Sequence, residues 1–391
     1  MAEKSFLEWP FFHDAHRALY QQLVEWREDQ SDLCTREPVD FQSEDVLARE
    51  LISSLAEAGF LALCVGEEHS QTHSGLDVRS LCLSREALAY ASPMADFCFA
   101  MQGLGSGPIS LFGTKEQREK YLAGVREGEL IAAFALSEKK AGSDVSAISC
   151  NAVKDGDGYI LNGEKAWISN AGLADFYVVF AKTDLENNPK ALGAFIVEKG
   201  DRGFRVEERN QIISPHPLGT LSLNQCRIPK GRLIGDPTKG FRIAMATLDV
   251  FRTTVGAAAL GFAKRALDET IRHAKQRELF GQHLSDFQMI QSHIAEMDSE
   301  VDASSLLIYR SAWLKDSGAE RITRESSIAK LYATDSAQRT IDRAVQVFGG
   351  LGVTSNSVPE RLYRAIRPLR IYEGASEIQK IVIARQVLER N

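Results

Sequence analysis

No two cysteines are spaced as C-x-x-C. Cys34, Cys64, Cys82, Cys98, Cys150 and Cys226 are scattered, mostly in apolar segments, so a local zinc or dithiol motif is excluded and reduced, buried thiols in a cytoplasmic setting are expected. No run of eighteen apolar residues occurs and the first residues, Met1 to Phe6, carry no long apolar stretch, so neither a membrane span nor an export signal is expected. Basic residues do not predominate. With 46 Lys and Arg against 53 Asp and Glu, the formal charge is −7, which argues against a nucleic-acid or anionic-membrane surface and favours small molecules and proteins as partners. Metal chemistry also lacks a cluster: His69 and His73 are four apart, but the flanking Ser, Thr and Gly read as loop and no third ligand stands near. No metal site is expected.

What is present is an ordinary globular composition, 44% apolar and 25% charged over 391 residues, enough for two or three domains. Apolar residues at three- and four-residue spacing predict helices over 12–26, 44–58, 78–91 and 93–112. Within the last of these, Gly103-Leu104-Gly105-Ser106-Gly107 imitates a dinucleotide fingerprint, but no strand precedes it and Pro108 follows. From about 129 the period changes to two. Asn162-Gly163 between Tyr159-Ile160-Leu161 and Lys165-Ala166-Trp167-Ile168 signals a hairpin, and 176–181, 194–197, 204–207 and 221–226 add strands of a sheet or small barrel. After Gly235-Asp236-Pro237 the helical period returns, with four long amphipathic segments predicted over 241–276, 285–316 and 323–347 and after residue 375. The pattern is an α+β multidomain chain: an N-terminal helical domain (1–128), a middle β-barrel or sheet domain (129–235) and a C-terminal four-helix bundle (236–391).

One loop draws the chemistry. In Arg370-Ile371-Tyr372-Glu373-Gly374 a carboxylate lies between an apolar pair and a glycine, a poorly hydrated place that suits a general base. Ser376 and Gln379 then have capping-box spacing for a helix entry. Taken alone, Glu373 could equally be a surface residue compensating a helix dipole.

Four motifs together resemble the acyl-CoA dehydrogenase family along nearly the whole chain: Ala135-Leu136-Ser137-Glu138-Lys139-Lys140-Ala141-Gly142-Ser143-Asp144, Asn162-Gly163-Glu164-Lys165-Ala166-Trp167-Ile168-Ser169-Asn170, Arg277-Glu278-Leu279-Phe280-Gly281, and Gln346-Val347-Phe348-Gly349-Gly350 with the Glu373 loop. The resemblance implies α,β-dehydrogenation of an acyl-CoA thioester, with Glu373 taking the α-proton and FAD accepting the β-hydride. It implies that the segment Phe134, Leu136, Ser137 bonds the flavin pyrimidine, that Trp167 packs on the ring system and that Ser169 bonds near N5. By the same resemblance Arg277, Phe280, Gln346 and Gly350 hold the pyrophosphate part of a neighbouring subunit's FAD, which requires a homo-oligomer, a dimer at least and commonly a tetramer. Ser143, Arg252, Tyr372 and Gly374 match positions around the substrate, and electron-transferring flavoprotein is the implied acceptor. Some relatives carry an alternative base just before the arginine at 252; here that position is Phe251, which leaves Glu373.

The chain departs from the family pattern at Lys139-Lys140, where Pro-Gly is usual, and at Gln211-Ile212-Ile213-Ser214-Pro215-His216-Pro217, which lacks the usual Gly-x-Arg-x-Ser. Val65-Gly66-Glu67-Glu68-His69 likewise replaces a Pro-x-x-x-Gly-Gly turn. Alternatives on the same fold are an acyl-CoA oxidase, an enzyme breaking another bond at the β-carbon, or an idle flavin-bound binding protein. Phe97, Phe99 and Met101 would crowd a long tail, which favours short, medium, cyclic or aryl-bearing acyl groups.

Overall fold

A computed structural model describes residues 5–66, 75–184, 188 and 191–389. The histidine pair at 69 and 73 and most of the 65–69 departure lie outside the described residues. Among the described residues the chain begins with α1 (Asp14–Asp29), α2 (Ser31–Thr35), α3 (Phe41–Glu57), α4 (Ala62–Val65), α5 (Val78–Ala91), α6 (Pro93–Phe112) and α7 (Lys115–Arg126). Strands β1 (Ala132–Ala135), β2 (Asn151–Asp155), β3 (Gly158–Ser169), β4 (Phe176–Lys182), β5 (Leu192–Glu198), β6 (Phe204–Arg209), β7 (Leu218–Pro229) and β8 (Leu233–Ile234) follow. The C-terminal part holds α8 (Gly240–Gln276), the small hairpin β9 (Glu278–Leu279) and β10 (Gln282–His283), then α9 (Gln288–Asp316), α10 (Thr323–Phe348), α11 (Val358–Leu369) and α12 (Ser376–Leu388).

The chain forms two compact units, one of Met1–Thr35, Val78–Asp96 and Asp249–Asn391, the other of Arg36–Asp77 and Phe97–Leu248. In the first, α10 packs against α9, α11 and α12, while α5 packs against α1 and α9. Its interior is partly polar: Lys264 Nζ donates to Glu86 Oε1 at 2.6 Å, and Tyr20 and Tyr309 also donate to that carboxylate. A buried carboxylate with three donors is satisfied, so this network is a tolerable core.

The C-terminal part is helical as expected, but it holds more than four helices. Helix α11 is an additional element with Pro359 in its first turn, where a missing N–H costs nothing; the segment between Gly350 and Glu373 therefore holds a helix that the period analysis passed over. Nor does the capping box at Ser376 form. Ala375 is the N-cap without a side-chain bond, because Ser376 Oγ turns to Asp335 at 3.2 Å and Gln379 Nε2 to the Gly374 carbonyl at 2.8 Å. Similarly α9 starts at Gln288 without a side-chain cap, its predicted Ser285 box being replaced by a 3-10 turn over Leu284–Asp286.

In the second unit the strands form one mixed sheet in the order β6-β7-β3-β2-β4-β5-β8, with β1 parallel beside β4. No pairing joins β6 to β8 among the described residues, so the sheet is open and a closed barrel is not present. The continuous apolar runs of β4 and β5 are buried on both faces. The hairpin expected at Asn162-Gly163 lies elsewhere: β3 runs straight through it, and the turn is at Asp155–Gly158 between β2 and β3. Gly163 instead occupies a register shift against β7 at φ 142°, where an added Cβ would stand 2.7 Å from Cys150 Cα, and Asn162 Oδ1 accepts from Gln225 N at 2.8 Å. The pair serves a β-bulge rather than a turn.

The Gly103–Gly107 stretch lies inside α6, and its Gly105 meets β1, where an added Cβ would lie 2.7 Å from Ala132 C, Ala132 Cβ and Ala133 N. The glycine is there for close helix–strand approach. Helix α8 is long and apolar enough to cross a membrane by length and composition, but 83% of its most apolar window is buried inside the protein, which is how a core helix behaves.

Candidate active site

Glu373 occupies the short connection between α11 and α12, and its backbone is in the left-handed region at φ 52°, followed by Gly374 at φ 90°. A non-glycine residue held there is strained unless its surroundings impose the turn. Several bonds do so. Lys330, from the first third of α10, donates through Nζ to the carbonyls of Tyr372 and Gly374, Gln379 Nε2 reaches the Gly374 carbonyl, and Arg370 Nε and Ser376 Oγ share Asp335. The carboxylate is left with Oε2 buried and, among the described residues, without a hydrogen-bond partner.

Charged groups of both signs surround it. Arg85 of α5 is 2% exposed, binds Asp96 through Nε and Nη2 at 2.8 Å each, and gives Nη1 to Thr254 at 3.1 Å. Arg252 of α8 is 6% exposed and holds Asp249 at 2.8 Å. Burial pushes the Glu373 carboxyl above its ordinary value, Arg85, Lys330 and Arg252 pull it back, and Asp96 adds to the rise. Tyr372 is likewise raised by burial against the pull of Arg85. Phe251 is 2% exposed in the core, so the position before Arg252 offers no proton acceptor. A carboxyl with one buried, open oxygen, raised above its ordinary value by burial yet kept ionisable by cations, can act as a base.

The structure thus gathers Arg252, Tyr372, Glu373 and Gly374, and adds Arg85, Asp96 and Lys330, which the sequence reading missed. A signal for Lys330 was available: it falls on the stripe of Ala333, Ala337, Ile341 and Ala344, all buried, where a charged residue needs a specific partner.

A second group forms in the sheet unit. Lys165 Nζ, fully buried, donates to the Leu136 carbonyl at 3.0 Å, and Ala166 N donates to the Ser137 carbonyl at 3.0 Å, so the 134–138 segment is tied to β3. The Phe134 ring packs on Phe180 at 4.9 Å. Between Lys165 and Ile168 the register slips and Trp167 takes φ 56°, which turns its ring outward to 54% exposure beside buried neighbours. Ser169 ends the same strand, opposite Leu218. Ser143 is exposed beyond the Glu138–Ala141 turn that carries Lys139 and Lys140 at its tip. In the divergent 211–217 segment, His216 stacks on Phe97 at 4.3 Å, while Phe99 is fully buried in the core and does not line a free surface.

A third group lies on the helical unit. Phe280 and Gly281 form the two-residue turn of the β9–β10 hairpin, both with positive φ, and Phe280 is 93% exposed. His273 stacks on Phe348 at 4.1 Å, which ties the end of α8, with exposed Arg277 just beyond it, to the end of α10, with exposed Gln346 and Gly350.

Models of the acyl-CoA dehydrogenase N-terminal, middle and C-terminal domains match residues 14–129, 133–226 and 238–388. The chain is 36% identical to a 3-(aryl)acrylate reductase of Clostridium sporogenes (strain ATCC 15579), over 97% of this chain and 100% of that one. It is 37% identical to a subunit of the caffeyl-CoA reductase–Etf complex of Acetobacterium woodii, over 88% and 90%. The solved acyl-CoA dehydrogenase of Bacillus anthracis, complexed with FAD, superimposes with a TM-score of 0.87 at 30% identity, over 100% of this chain and 71% of that one. The chain belongs to the acyl-CoA dehydrogenase family. It is a FAD-dependent oxidoreductase that performs α,β-dehydrogenation of an acyl-CoA thioester.

The residues present fit that cofactor. Trp167 offers a flat exposed face on a strand whose neighbours are buried, and Arg277 and Phe280 offer an exposed cation and ring of the kinds that hold phosphate and adenine. Among the described residues no group of three or more metal-ligating side chains occurs.

Proposed function

We propose that Glu373 is the base that removes the α-proton, and that the substrate is a short or aryl-bearing acyl-CoA. The observation that carries the first part is the unpartnered, buried Oε2 on a residue held at φ 52° among three cations. Arg252 and Arg85 keep that carboxyl ionisable while burial keeps it basic. FAD supplies the acceptor for the β-hydride. Trp167 and Ser169 bind it from β3 with Phe134, Leu136 and Ser137; Ser143 serves the CoA moiety, and Tyr372 and Gly374 serve the substrate beside the base.

The acyl preference is supported by the aromatic relatives, which bear names of aryl-acrylate and caffeyl-CoA reductases, and by the Phe97–His216 stack in place of the family's usual segment. The same relatives make the reductive direction a natural second reading, since one equilibrium serves both. Electron-transferring flavoprotein is the proposed partner, supported by the Etf-linked relative. A homo-oligomer, at least a dimer, is supported by the exposed Arg277, Phe280, Gln346 and Gly350, which offer their groups outward rather than to their own unit. A cytoplasmic location is consistent with six free, buried thiols.

Anaerobic flavin bleaching tests both parts. Butyryl-CoA or 3-phenylpropanoyl-CoA should bleach the flavin faster than palmitoyl-CoA, and Glu373→Gln should slow bleaching by at least about a hundredfold with FAD retained. A preference for palmitoyl-CoA would refute the acyl assignment, and a Glu373→Gln enzyme of undiminished rate would refute the base.

A further inference from the structure

Lys330 is 1% exposed on α10, and among the described residues it is the side chain that binds the peptide carbonyls on both sides of Glu373. Both bonds are 2.5 Å long and come from one ammonium. The ends of the loop are anchored without it, since Arg370 and Ser376 bind Asp335 and Ser376 N bonds the Arg370 carbonyl at 3.1 Å. What Lys330 adds is confined to residues 372–374, where Glu373 and Gly374 have positive φ. Two carbonyls converging on one cation fix the turn between them, and that turn sets where the Glu373 side chain leaves the backbone.

We propose that Lys330 is a positioning residue for the Glu373 base, its ammonium clamping the Tyr372 and Gly374 carbonyls so that the carboxylate is aimed and its proton affinity set. The inference rests on the assignment of Glu373 as the base. A buried ammonium is retained only where its bonds are made, and here they are made to backbone groups that bracket one residue.

The electrostatic part has a definite sign. Glu373 is faced by Arg85 with its partner Asp96 from the α5 and α6 side, by Arg252 from α8, by Lys330 from α10 and by Tyr372 in its own loop; Asp335 faces Lys330. Burial lowers the Lys330 ammonium, Glu373 supports it, Arg252 opposes it and Asp335 supports it. Removing one cation from this set raises the proton affinity of Glu373. The base must be ionised to act, so the acid limb of the rate profile must move to higher pH.

The test uses the FAD-loaded enzyme and Lys330→Met, which keeps the length of the side chain without its donors. Expected are a fall of about tenfold or more in the limiting rate of flavin reduction, a shift of the acid limb of kcat/KM upward by about half a unit or more, and unchanged affinity for a non-reacting CoA thioester. Lys330→Arg should keep the limb near its wild-type position. A purely structural role would lower Tm and FAD content while leaving the limb in place, and that result overturns the proposal, as does a wild-type rate and limb in Lys330→Met. If Lys330→Met does not fold, Lys330→Gln carries the same test, an unshifted limb again counting against it. Glu373→Gln measured in parallel separates the two claims: a sluggish Glu373→Gln beside a wild-type-like Lys330→Met defeats the clamp alone, whereas an active Glu373→Gln defeats the base and the clamp together.

Discussion

Lys165 Nζ and Glu138 Oε1 lie 2.8 Å apart with side chains 0% and 7% exposed, and the same carboxylate accepts from Ser149 N at 2.7 Å and Cys150 N at 2.9 Å. With the second Lys165 bond to the Leu136 carbonyl, this pair fastens the 134–138 segment to β3 and to the start of β2. Burial alone would raise the Glu138 carboxyl, but Lys165 and the two N–H groups outweigh it and hold it below the ordinary value.

Glu138→Gln should therefore leave a buried cation without its counter-charge and cost about 3 kcal/mol at neutral pH. Because the folded carboxyl is depressed, its contribution is present in full above the unfolded value of about 4.3 and is lost progressively as pH falls from there through the lower folded value. Urea unfolding at pH 7 and pH 4 should show the variant weaker at pH 7 and closer to wild type at pH 4. A constant difference at both would contradict this account.

Gly105→Ala should be destabilising because its new methyl meets the β1 backbone, which cannot yield as a flexible side chain would. A cost of about 1–3 kcal/mol is expected from overpacking. Gly142→Ala, with open space around the new atom, should stay within about 0.5 kcal/mol. Equal denaturation midpoints for the two variants would show that α6 and β1 are not in close contact.

Arg277→Ala should weaken FAD retention by about tenfold or more, the scale of losing a charge-assisted phosphate bond. Ligand linkage then predicts a lower Tm that is restored by added FAD. Since Arg277 is exposed beside the β9–β10 hairpin, the apo protein should melt as the wild-type apo protein does. Unchanged FAD affinity would remove Arg277 from the cofactor site.

The sequence alone was enough for the family, because its four motifs stand in a diagnostic order, and it singled out Glu373 as a candidate base, because an Ile-Tyr-Glu-Gly connection is chemically legible without knowing what surrounds it. The thiols expected to be reduced are free and buried, and the alternation from 3.6-residue to two-residue periodicity located the helical and sheet regions. These are local properties: a period or a motif is written in neighbouring residues. What only the tertiary structure decided was non-local. Asn162-Gly163 became a bulge because β7 pairs along the whole of β3, Ser376 gave up its cap because Asp335 was within reach, and α11 formed on a stretch whose apolar face acquires meaning when α10 covers it. Lys330 lies 42 residues before the Tyr372 carbonyl that it binds. Its desolvation and its two bonds come into being together only on folding, since nothing in an unfolded chain distinguishes that lysine from any solvated one.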